Sequence, residues 1–63
     1  MCDKIVWAKG EIAVINQSGA ISKGSQVTIQ ESICQHKIVN GDSVRGSYKG
    51  ETFSITASHL DKL

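Results

Sequence analysis

Cys34 and His36 stand two positions apart, and Cys2 and His59 would complete a set of two cysteines and two histidines. Zinc takes those ligand types tetrahedrally, but structural sites bring them in close pairs such as Cys-x₂₋₄-Cys with His-x₃₋₅-His. Here the only local pair is mixed, so the spacing predicts no metal site; Cys34 reads as a small buried hydrophobe and His36 as an exposed side chain. Ser58, His59 and Asp61 are the residue types of a hydrolytic triad. Near-adjacent positions do not readily aim at one another in triad geometry, and no Gly-x-Ser-x-Gly elbow occurs. Ser58 therefore reads as a turn cap and Asp61 as solvated. Gly41 and Gly46 have the separation of two P-loop glycines, yet Ser47-Tyr48 follows where lysine and Ser/Thr are required. The expectation is a protein that is not an enzyme, with no catalytic residues, no metal and no cofactor.

Binding chemistry has better candidates. Lys37, Arg45 and Lys49, with Tyr48 between the last two, would give a small basic face with one stacking ring, the combination that contacts phosphate and base. Asp42 and Glu51 lie in the same stretch, and a net charge of +1 with a pI near 7.8 gives no strong field for a polyanion. Trp7 is large for so short a chain, and tryptophan and tyrosine are enriched at interface hot spots. Its other reading is a cap on one end of the core. The candidate binding set is thus Trp7, Lys37, Arg45, Tyr48 and Lys49. A protein partner or self-association is the leading expectation, with a homodimer through a strand edge near Lys4 to Trp7. Binding of RNA or DNA through the basic hairpin is the alternative.

These side chains need a scaffold, and the length limits what it can be. A chain of 63 residues makes one domain, residues 1–63. At that size folding buries only about 60% of the surface exposed by the unfolded chain, which leaves little room for a deep pocket. Ile and Val together number thirteen, whereas Leu occurs only at Leu60 and Leu63. β-Branched side chains fit a pleated surface better than a helix, so the fold is predicted to be all-β. Glycines at 10, 19, 24, 41, 46 and 50 cut the chain into strand-length pieces.

A first strand over 4–7 would place Ile5 and Trp7 on one face. Residues 11–15 are too uniformly apolar to choose an inward face, and Asn16-Gln17-Ser18-Gly19 is a turn. Gln26 to Gln30 alternates polar and apolar, as a half-buried strand does. Thr28 to Glu31 has the form of a capping box, so residues 31–37 read equally well as a helical turn or a strand. Asn40-Gly41 is a strong hairpin signal, predicted to pair Lys37–Val39 with Ser43–Arg45. Tyr48-Lys49-Gly50 is a further turn, followed by a strand with Phe53 and Ile55 inward. Ala57, Leu60 and Leu63 then suit a closing helical turn.

The segment Gly41-Asp42-Ser43-Val44-Arg45-Gly46-Ser47-Tyr48-Lys49-Gly50 resembles the hairpin of small SH3-like barrels of the KOW type. Phe53-Ser54-Ile55-Thr56 followed by Leu60 is similar to the end of many SH3-like domains, where a short turn precedes the last apolar contact. Phe53 departs from the KOW pattern, which has a glycine there. The resemblance implies a small five-stranded SH3-like barrel with a short C-terminal helical turn, binding peptides, proteins or RNA through its loops. It implies no chemistry. The apolar run at the amino terminus is too short for a secretory signal, and none approaches the length of a membrane span, so a cytoplasmic protein with no membrane partner is expected. Asn16-Gln17-Ser18 is then an idle glycosylation pattern, and a Cys2–Cys34 disulfide is disfavoured in a reducing compartment.

Overall fold

The computed structural model describes residues 2–63; Met1 lies outside the described residues. Among the described residues seven strands form, β1 Ile5–Trp7, β2 Ile12–Ile15, β3 Gln26–Ile29, β4 Ile33–Cys34, β5 Ser43–Tyr48, β6 Glu51–Thr56 and β7 Leu60–Lys62. A helix, α1, covers Gln35–Asn40, and a 3₁₀ turn covers Ala57–His59. The strands make a five-stranded antiparallel sheet in the order β6-β5-β3-β2-β7 and a two-stranded sheet, β1-β4. The fold is mostly β, as the β-branched bias predicts. The expected five-stranded barrel is not closed: β6 and β7 are the two ends of the larger sheet and do not pair. The Cα radius of gyration is 10.5 Å, against about 10.6 Å for a packed chain of this length.

Strand alternation builds the core. Ala13 and Ile15, Val27 and Ile29, and Val44 and Ile55 turn inward from successive strands and meet Trp7, Ile21, Ile33, Ala57 and Leu60. Ile29 and Ile33 are almost wholly buried, and burying each contributes about 1.5–3 kcal/mol. Gly46 lies inside β5 rather than in a turn. A Cβ there would stand 3.1 Å from Ile55 Cδ1 and 3.3 Å from Val27 Cγ2, so any larger residue would require those side chains to give by a few tenths of an ångström.

Three local expectations are corrected. Asn40-Gly41 does not turn a hairpin; it ends α1. Gly41 adopts φ 75°, its N–H reaches the Ile38 carbonyl, and the Asp42 N–H reaches Lys37, which together make a Schellman cap. Positive φ is what both a type I′ turn and this cap require, and the sequence carries no mark to separate them. Ile5 and Trp7 do not share a face. The β1–β4 register shifts between them, and this bulge leaves Ile5 55% exposed while Trp7 is buried. The residues after Ala57–His59 straighten into β7, which pairs with β2, so the helical turn is shorter than predicted.

Cys2 and Cys34 are joined in a disulfide, contrary to the expectation from a reducing compartment. The bond anchors the amino-terminal segment beside β4, where Asp3 Oδ1 also lies 3.6 Å from His36 Nδ1. Desolvation pushes the Asp3 carboxyl up. Hydrogen bonds from the backbone N–H groups of Asp3 and Lys4 and from His36 outweigh it and hold the carboxyl below its ordinary range. Among the described residues, no helix is long and apolar enough to cross a membrane.

Candidate functional site

The hairpin that forms is β5–β6. Tyr48 pairs with Glu51 across a two-residue turn in which Lys49 and Gly50 have φ 50° and 81°, the pattern of type I′. Such a turn bonds the Glu51 N–H to the Tyr48 carbonyl. Antiparallel pairs alternate between bonded and non-bonded. Glu51, Phe53 and Ile55 therefore spend their backbone groups on β5, whereas Thr52, Ser54 and Thr56 direct theirs away from the sheet, the Thr56 carbonyl accepting the first bond of the 3₁₀ turn. β6 is an end strand, and among the described residues no loop or side-chain hydrogen bond falls on Glu51–Thr56. Its outer edge is open.

The two end strands differ. β7 is three residues long and carries Asp61 and Lys62, features that discourage pairing. Lys62 also folds back, bonding the Val6 carbonyl and placing its ammonium 5.0 Å from the Trp7 ring centre. That contact occupies a carbonyl of β1, the strand whose edge was the expected route to a homodimer. β6 has six residues, no proline, and no charge after Glu51.

A groove of about 210 Å³ adjoins this edge, between Ser54–Thr56 and the loop that follows β2. Ile15, Ile21, Phe53 and Ile55 give it an apolar lining, to which His59 adds an imidazole. The loop is held in shape at both ends. Ser25 N–H bonds the Ser22 carbonyl over a turn with Gly24 at φ 92°, and Gly24 N–H bonds Ile15. At the other end the Asn16 side chain donates to the Ser58 carbonyl and to Asp61 Oδ1, and its backbone N–H donates to His59. Asn16 and Asp61, drawn from a glycosylation pattern and a triad pattern, are thus structural ties.

The basic set is divided. Arg45 lies on the exposed face of β5, whereas Tyr48 belongs with Val44 and Gly46 on the other face, its ring 6.4 Å from Phe53. Lys49 sits at the turn with its ammonium 5.4 Å from the Tyr48 ring centre, and Lys37 is on α1. A hydrogen bond with the Ser25 side chain, aided by the Lys49 charge, holds the Tyr48 phenol below its ordinary pKa. Trp7 faces the core, where its indole N–H is buried with no acceptor among the described residues. The disulfide takes both thiols that the zinc set needs. Sequence reasoning missed the β6 edge itself; its signal was the charge-free run Thr52–Thr56, whose exposed edge depends on which strands pair. The chain matches no family model, no curated protein and no solved structure.

Proposed function

We propose that the chain is a non-catalytic interaction module of SH3-like build that binds a protein partner by adding an extended strand to β6, beside the Ile15–Ile21–Phe53–Ile55 groove. The observation that carries this reading is the asymmetry of the two sheet ends: β7 is short, charged and tied back, and β6 is long, uncharged beyond Glu51 and open. Strand addition draws affinity from backbone bonds and specificity from pockets that take alternate side chains. The SH3-like assignment is supported by the β2-β3-β5-β6 meander and by the 3₁₀ turn before β7, where the resemblance puts a short turn. The Cys2–Cys34 bond favours an oxidising compartment over the cytoplasm.

A photo-crosslinking residue placed at Ser54, and separately at Arg45, in the source cell tests the reading. Protein adducts at Ser54 are expected. RNA or DNA adducts at Arg45, with none to protein at Ser54, overturn it in favour of the nucleic-acid alternative.

A further inference from the structure

We infer that the strand added to β6 is the β6 of a second copy of this chain, giving a two-fold dimer with Ser54 on the axis; this rests on the reading of β6 as the binding edge. The open groups are the N–H and carbonyl of Thr52 and Ser54 and the N–H of Thr56, whose carbonyl accepts the first bond of the 3₁₀ turn, and the sequence around Ser54 suits pairing with itself. An antiparallel pairing centred there sets Ser54 opposite Ser54, and Thr52 opposite Thr56 of the second copy. The Ser54 pair then exchanges both of its backbone bonds, and in each Thr52–Thr56 pair the Thr56 N–H donates to the Thr52 carbonyl. The same register sets Phe53 opposite Ile55 of the second copy in the non-bonded pairs, where side chains approach most closely. The apolar lining of one groove then continues into the other. Glu51 falls opposite Ala57, so no like charges meet. A register that set Ser54 opposite Phe53 or Ile55 would lose this match, because the backbone groups of those two residues are turned toward β5, and centring on Phe53 would set Glu51 opposite buried Ile55. Small chains with limited cores gain stability from such association, and a two-fold contact requires a self-complementary patch.

The alternative dimer through β1 is less well supplied. β1 has three residues, a bulge, and its Val6 carbonyl already bonded to Lys62.

Sedimentation of the disulfide-bonded protein from micromolar to millimolar concentration tests the inference, with Ser54→Pro and Ser54→Ala alongside. Proline removes an N–H that β5 does not use, and edge strands tolerate it; alanine keeps that N–H. A concentration-dependent dimer is expected. Ser54→Ala should retain it, and Ser54→Pro should weaken it by about tenfold or more through loss of the central bonds. In the wild-type dimer, amide exchange should slow at Ser54 and Thr56, a readout independent of whether Ser54→Pro folds. A monomer at every concentration overturns the inference, as does a dimer without slowed exchange at those amides. A monomer whose Ser54 position crosslinks to a different protein overturns self-pairing and leaves the binding-edge reading standing. A monomer with nucleic-acid adducts at Arg45 and no protein adduct at Ser54 overturns both.

Discussion

Removing the Cys2–Cys34 bond should take away a large part of the stability. The bond closes a loop with a sequence separation of 32. The loop-entropy relation gives about 12 cal/mol/K for a loop of that size, or about 3.7 kcal/mol at 25 °C. A 63-residue domain has about 3–9 kcal/mol in total at ordinary values per residue. The loop encloses β1, β2, β3 and most of β4, so the reduced unfolded chain recovers freedom over half the sequence. The assay is urea unfolding followed by the fluorescence of Trp7, the single tryptophan, which sits in the core beside the bonded segment. Oxidised protein is compared with protein in a phosphine reductant and with Cys2→Ser/Cys34→Ser. At a slope of about 1 kcal/mol per molar for so small a chain, the midpoint should fall by about 3–4 M, or the reduced protein should be unfolded without urea. A midpoint that moves by less than about 1 M at unchanged slope would refute the entropic reasoning. It would mean that packing of Trp7, Ile33 and Leu60 alone holds the amino-terminal segment.

Gly46→Ala should destabilise by about 1–2 kcal/mol in the same assay, because overpacking against Ile55 and Val27 exceeds the gain from a stiffer unfolded chain; a neutral or stabilising result would show that those side chains give way. Lys49→Asn should stabilise by about 0.5–1 kcal/mol, since Lys49 is the only non-glycine residue with positive φ among the described residues and asparagine accepts that conformation more readily; a lower urea midpoint would count against the type I′ assignment. Asp3, held below its ordinary pKa, contributes stability that is fully present above the unfolded carboxylate value and is lost as pH falls through the folded value. Asp3→Asn should flatten that acid limb of the stability profile, and an unchanged limb would exclude the Asp3 contacts as its source.

The strand character of the chain was legible from composition, and so was the inward set where alternation was clean. Val27 and Ile29, and Phe53 and Ile55, face the side that the pattern assigned, because a period of two leaves a strand little choice once one face is buried. Lys49-Gly50 was legible as a turn for a local reason, a glycine at a position requiring positive φ. Asn40-Gly41 was not, since its backbone requirement is shared by two structures and the choice lay with the packing of half-buried Ile38 on the core.

The binding edge belongs to the other class of information. Sequence alone determined that β6 would be apolar on one side, hydroxyl-bearing on the other and without charge from Thr52 to Thr56. Whether that strand lay inside the sheet or at its end was decided only by the long-range pairing of β2 with β7, which puts a guarded strand at one end and leaves β6 at the other. The same holds for Cys2 and Cys34: their types were visible, but their meeting depends on β1 lying against β4. Local propensity fixes what each segment offers to a neighbour. Which neighbour it meets is set by contacts far apart in the chain, and here those contacts decide which backbone groups remain free to bind.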